Sequence, residues 1–180
     1  MKKNHFIVFA FLCCYGIHAQ GKFLTKEGYV SFFSHSLVED IKADNNQVLS
    51  VIDTVTGKIA IQMLMRSFMF KKALMQEHFN ENYVESYKYP KATFSGTILN
   101  FKEMSEENNQ TEITGTLTVH GEEKEIRTRV NIEVRDDGIR LTGDFNVDVA
   151  DFKIKIPSIV ANNIAKTIKV TFDLDHKPYK

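Results

Sequence analysis

The sequence predicts an all-β fold, an antiparallel β-barrel of about eight strands with one or two short helices, and three observations predict it. Apolar and polar residues alternate with period two over long runs, which places the apolar side chains of each strand on one face. Short turns join most of these runs, the connection that antiparallel neighbours need. The polar face is so uniform that the apolar one must be buried on itself, and closure also removes exposed sheet edges.

The chain opens MKKNHFIVFAFLCCYGIHAQG, with Lys2 and Lys3 ahead of an apolar run from Phe6 to about Ile17 and His18-Ala19-Gln20 after it. This is the pattern of a cleaved secretory signal over residues 1–20, followed by one domain over 21–180. Periplasmic or secreted localisation is expected. The apolar run is too short for the ~20 residues of a spanning helix. Leu12 and Cys13 stand where a lipoprotein cysteine wants small residues, so Cys13 and Cys14 are not read as an anchor.

Removal of residues 1–20 takes both cysteines and two of the 23 basic residues, leaving 21 basic against 23 acidic. The mature chain then has no thiol for catalysis, metal binding or a disulfide. Its near-neutral charge excludes a nucleic-acid partner.

Strands are expected near 28–36, 57–67, 92–101, 111–120, 124–135, 139–149 and 167–175, with shorter extended pieces around 47–54 and 152–156. The clearest is KEIRTRVNIEVR, with Ile126, Val130, Ile132 and Val134 on one face. Asp136-Asp137-Gly138 turns the chain, and Ile139, Leu141, Phe145, Val147 and Val149 repeat the pattern. On GKIAIQMLMRS the face shared by Ile59, Ile61, Met63 and Met65 opposes Lys58, Gln62 and Arg66.

Two segments break the alternation. FMFKKALMQEHFNEN, 68–82, places Phe70, Leu74 and His78 at helical spacing, with Met75 and Phe79 beside them. PSIVANNIAKT suits a second short helix, with Pro157 in its first turn. Tyr89-Pro90 then returns the chain to extended geometry. Residues 102–112 read as a polar hairpin loop.

No catalytic residue and no metal site are assigned. His35, His78, His120 and His176 are scattered, none in an H-E-x-x-H spacing. His120 reads as a turn residue before Gly121, His78 as a partly buried structural histidine, and His35 and His176 as solvated. Asp144, Asn146 and Asp148 begin like a calcium loop, but Phe145 and Val147 alternate between them, and Val149 and Lys155 occupy the places of the glycine and bidentate glutamate. Asn109-Gln110-Thr111 is a glycosylation sequon with meaning only in a eukaryotic secretory route.

The stretches SFFSHSLVEDIKA (31–43), TGKIAIQMLMRSFMFKKALMQEHFNENYVESYKYPKATFSGTI (56–98), GTLTVHGEEKEI (115–126) and DFKIKIPSIVANNIAKTIKVTFDL (151–174) together resemble the YceI-like family of exported bacterial proteins. The order of H-x-x-x-x-Y, Y-P-x-A-x-F and G-x-L-T-x-H-G segments carries the resemblance. It implies an extended, lipocalin-like barrel whose interior holds an amphiphile with a polyisoprenoid chain. Where many members carry R-D-x-H-[LM], this chain has Met75-Gln76-Glu77-His78-Phe79.

On that reading the barrel lining comprises Phe32, Ile61, Met63, Met65, Phe94, Ile98, Leu117 and Phe145. Phe68, Phe70, Leu74 and His78 join it from the helical segment. Clustered methionines conform to irregular apolar shapes, although the same residues can equally pack a filled core. The expected ligand is a polyisoprenoid, an isoprenoid quinone or a similar lipid, with no other cofactor. Contact with membrane lipids is expected only by exchange, and the oligomeric state is left open, with a homodimer one possibility. Absence of an evident nucleophile or inward carboxylate pair favours a carrier. A small barrel enzyme acting on such a lipid, and a ligand-free envelope or stress protein that binds another protein, are the alternatives.

Overall fold

Period-two alternation becomes register once the strands pair. The computed structural model describes residues 21–35, 40–105, 108–157 and 165–179. Among these residues nine strands form one antiparallel sheet: β1 (Lys22–Ser34), β2 (Ile41–Asp53), β3 (Lys58–Leu64), β4 (Met69–Phe70), β5 (Lys91–Ile98), β6 (Gln110–Val119), β7 (Glu122–Arg135), β8 (Gly138–Asp148) and β9 (Thr167–Pro178). The order is β1-β9-β8-β7-β6-β5-β3-β2-β4, and β1 also pairs with β2. Eight strands therefore close into a barrel, and β4 is a short addition that pairs Phe70 and Met69 with Ala43 and Asp44.

The β7–β8 hairpin follows its sequence pattern, with Ile132 opposite Leu141 and Arg135 opposite Gly138. Gly138 does not take positive φ. A Cβ there would stand 2.3 Å from the His176 carbonyl oxygen, so glycine is required by the close approach of β9 rather than by the turn. Val134, expected inward, is largely exposed because the barrel ends at that hairpin turn.

The interior differs from one end to the other. At the end carrying the β2–β3 and β7–β8 turns, Ile52, Ile59, Ile98, Ile132, Leu141 and Leu174 are fully buried and fill the barrel with side chains. Each contributes about 1.5–3 kcal/mol by leaving water. The other end, where β1, β3, β6 and β8 finish, is wider and is covered by the segment 65–90.

Several expectations are corrected by bulges. β1 begins at Lys22 rather than 28, and β2 at Ile41 rather than 47. Register shifts between Thr25, Gly28 and Val30 interrupt the alternation of β1, and Lys26-Glu27 and Asn46-Gln47 each place two exposed residues in succession. Residues 152–156 are not a strand: Val149–Phe152 form a 3-10 turn, and Lys153 takes φ 52° before Ile154 and Ile156 run on. The expected helix over 68–82 starts late, because Met69–Phe70 are β4. Helix α1 spans Ala73–His78 and continues as a π-helical turn over Phe79–Tyr83. The second expected helix falls mainly on 158–164, and the signal on 1–20; both lie outside the described residues.

Candidate ligand-binding site

The segment 65–90 crosses the wide end of the barrel as a strap, and four phenylalanines fasten it. Phe32 of β1 lies 5.4 Å from both Phe68 and Phe79 between ring centroids, and Phe70 lies 5.0 Å from Phe79. Such ring pairs contribute roughly 0.5–1.5 kcal/mol each beyond their burial. Below Pro90, whose carbonyl accepts a hydrogen bond from the Met65 N–H at 2.9 Å, the chain enters β5.

A cavity of about 370 Å³ lies between the strap and the packed end. That is within the ~300–1,000 Å³ typical of small-ligand sites. On β1 and β9 its lining spans five residues each, Val30 to Ser34 and Ile168 to Phe172, about 13–17 Å at ~3.3 Å per residue. Of the 29 described residues that line it, Ser34, His78 and Tyr83 are the ones that carry side-chain oxygen or nitrogen. The Ser34 hydroxyl is already used, accepting the Ala165 N–H at 3.0 Å. Burial raises the Tyr83 phenol above its usual range, so it is neutral at physiological pH. His78 is exposed at the rim. The described wall can therefore exclude water and hold hydrocarbon, and its described residues carry no fixed charge for an ionic head group.

Hollowness depends on how the rings lie. Phe172 of β9 pairs with Gly143 of β8, and a Cβ on Gly143 would stand 2.6 Å from the Phe172 ring. The ring thus lies against the neighbouring strand, where it forms part of the cavity wall.

Ten of the twelve residues singled out from the sequence line this cavity: Phe32, Ile61, Met63, Met65, Phe68, Phe70, His78, Phe94, Leu117 and Phe145. Two do not. Ile98 is buried in the packed end, and Leu74 is 60% exposed. Leu74 was placed by a helical phase running from Phe70, but Phe70 belongs to β4, and the phase that faces inward is Met75, Phe79 and Tyr83. Sequence reasoning also left out Ile168, Val170 and Phe172, although their β9 parity points inward, and Ile154 and Ile156, which alternate without a strand partner.

The histidines need two corrections, the first being that His78, expected to be partly buried, is exposed. His35 is exposed beside Asp40 at 2.6 Å, and His120 sits in its turn at φ 53°, bridging the Glu85 carboxylate at 2.8 Å and the Phe152 carbonyl at 3.0 Å. That contact holds the Glu85 carboxyl below its usual range. His176, expected to be solvated, is 0% exposed. Its Nδ1–H donates to the Ile139 carbonyl at 3.1 Å, so the neutral ring accepts the Ser50 hydroxyl at Nε2, 2.8 Å away. Ser50 and His176 have the pairing of a nucleophile and its base, but both are sealed in the packed end and neither lines the cavity. Among the described residues no three His, Cys, Asp or Glu side chains group to hold a metal ion.

Burial lowers the affinity of His176 for a proton. Its contribution to stability is therefore complete above the unfolded value of about 6.5 and is lost as the pH falls through its lower folded value. Asp44, Glu85, Asp137 and Asp173, held low by their partners, lose their contributions only below the ordinary carboxylate range. We expect unfolding midpoints measured from pH 7 downward to fall already from about pH 6. His176→Gln, which keeps a donor and an acceptor, should remove that early decline, and an identical pH profile in the variant would contradict this role.

A closed antiparallel barrel with a polar outer wall, a packed end and an apolar cavity among the described residues has a lipocalin-like architecture. The YceI-like domain model matches residues 15–176, and the chain belongs to that family. No curated protein sequence matches it. Among solved structures, the polyisoprenoid binding domain from Saccharophagus degradans implicated in plant cell wall breakdown superposes with a TM-score of 0.73 at 16% identity, covering 88% of this chain and 99% of that one. BcnA of Burkholderia cenocepacia gives 0.70 at 17% identity, covering 82% and 95%, and the Campylobacter jejuni YceI protein gives 0.65 at 17%, covering 81% and 90%. At such identities these likenesses establish the fold.

Proposed function

We propose that this protein is an exported carrier that holds the chain of one long apolar amphiphile, a polyisoprenoid, an isoprenoid quinone or a similar lipid, in the wide half of its barrel. The observation that carries the reading is the cavity wall, with three polar side chains and no carboxylate or lysine among its 29 described residues. The family and a solved relative described as polyisoprenoid binding point to the same ligand class. Binding comes from burial of ligand hydrocarbon at roughly 25 cal/mol per Å², less the cost of ordering a flexible chain. With no charge among the described wall residues, a polar head group stays at the rim beside His78. The lysine-led apolar start of the sequence supports export, with cleavage near Ala19 to Gly21.

Native mass spectrometry of protein isolated from the cell envelope, followed by organic extraction, tests both statements. The expected result is a chain lacking about twenty residues with one co-purifying prenyl lipid. Full-length cytoplasmic chain contradicts export, a chemically converted lipid supports an enzyme, and protein that neither carries nor takes up prenyl lipid contradicts the carrier.

A further inference from the structure

The return leg of the strap, 83–89, is fastened through one histidine. Tyr83 and Val84 line the cavity, and Glu85 follows them directly. The Glu85 carboxylate lies 2.8 Å from His120 Nε2, and His120 Nδ1 lies 3.0 Å from the Phe152 carbonyl oxygen. The Tyr89 ring meets the imidazole edge-on, 4.5 Å away between centroids. A single side chain thus ties the strap to the β6–β7 turn and to the 3-10 turn that supplies the lining residues Val149 and Phe152.

The backbone around this contact is strained. Among the described residues four non-glycine residues take positive φ, and three stand here: Glu85 at 44°, His120 at 53°, and Lys153, which follows Phe152, at 52°. Residues held in that region concentrate at clamps and switches, where the surroundings over-determine them. The imidazole has acceptors on both sides. A backbone carbonyl and a carboxylate can only accept, so both bonds form only when each ring nitrogen carries a proton. A singly protonated ring keeps one bond and turns a lone pair on the other acceptor. With its side chain 11% exposed, the ring has little water to replace the lost bond.

The surrounding charges belong to other side-chain types. Lys88 and Lys155 act on the Glu85 carboxylate, and Lys88 Nζ stands 4.7 Å over the Tyr89 ring. On the neighbouring loops Lys153 pairs with Glu122 at 2.9 Å and Lys124 with Asp151 at 3.2 Å. Histidine is the side-chain type whose charge changes between about pH 5 and 8.

We propose that His120 is a proton-controlled latch on the strap, closed when its ring carries both protons and released when it loses one, so that ligand exchanges past the freed edge at the higher pH. The inference rests on the carrier reading and supplies its regulation. The Phe32, Phe68, Phe70 and Phe79 rings carry no proton to lose and keep the far side of the strap on β1. His120 holds the Glu85 carboxyl below its usual range, so the latch fails a second time only when the pH falls through that lowered value.

Two readouts, each at about pH 5.5 and about pH 8, test the latch. One is the amide-exchange protection of Val84, Ser86, Lys88 and Tyr89 in ligand-free protein, corrected for intrinsic rates; all four amides donate within the strap. The other is the dissociation rate of a fluorescently labelled farnesol. At the higher pH, protection should fall and dissociation quicken by about tenfold, the loss of one charge-assisted bond. His176 acts in the opposite sense, weakening the fold as the pH falls. His120→Asn, which tolerates the same backbone but is too short to bridge both acceptors, should be fast at both pH values. Glu85→Gln should be slow at both, because its amide can donate to the neutral ring. Parent protection that does not change with pH overturns the latch, as does a change that survives in His120→Asn and vanishes in His78→Gln. Protection that responds while dissociation does not also overturns it. Protection that responds in a protein that never takes up the farnesol overturns the carrier reading instead.

Discussion

Replacing Met63 by tryptophan is expected to leave the ligand-free barrel nearly as stable as the parent while prenyl-ligand affinity falls by at least about tenfold. Met63 faces the cavity from β3, between Val48 of β2 and the small Ala92 of β5. In a filled core the larger ring would force neighbours off their rotamers at a cost of about 1–3 kcal/mol. In the wide half of this barrel the ring takes space that the ligand needs, so the cost to folding should stay below about 1 kcal/mol. Melting curves on delipidated protein and a titration with a fluorescent prenyl ligand read the two effects separately. Strong destabilisation with unchanged affinity would mean that the lumen is packed and that ligand binds elsewhere.

The opposite pattern is expected of Leu141→Ala. Leu141 is fully buried in the other half, paired with Ile132 on β7 and Leu174 on β9. Its truncation leaves a void in a region that the barrel cannot collapse, so the loss should be about 2–5 kcal/mol. For a chain of this size that is a fall of roughly 4–20 °C in melting temperature. Ligand affinity of the folded variant should match the parent, because Leu141 does not reach the cavity. A variant that melts like the parent would show that the packed end is not where stability resides.

These two residues mark what the sequence reveals and what it hides. Parity assigns Met63 and Leu141 alike to the interior, and both assignments hold. Depth along the barrel, which makes one a cavity wall and the other a core residue, has no period-two signature. It is decided by tertiary events such as the Phe172 ring folding over Gly143 and the strap closing over Phe32. The β7–β8 hairpin was legible because its alternation is unbroken. The first halves of β1 and β2 were hidden because bulges shift the phase and because KADNNQ is rich in residues that strands usually avoid.

Helical spacing failed at Leu74 for a similar reason. Phe70 pairs with Ala43 as a strand residue, so the phase counted from it does not belong to α1. For His176 the signal was present: Ile168, Val170, Phe172 and Leu174 fix the inward parity of β9, and His176 continues it. The polarity of the residue, and its place near the end of the chain, outweighed that parity. A buried imidazole is tolerated there only because the Ile139 carbonyl and Ser50 hydroxyl meet both ring nitrogens.

The central claim is that a long apolar chain lies in the wide half of the barrel, and a prenyl probe carrying a photoreactive group along its tail tests it most directly. After irradiation and peptide mapping by mass spectrometry, adducts are predicted on cavity-wall residues of several strands, among them Met63, Phe94, Leu117 and Phe145. Met63→Trp should suppress them all. Adducts confined to the outer wall of the barrel, with the cavity residues unlabelled at saturating probe, would contradict the claim.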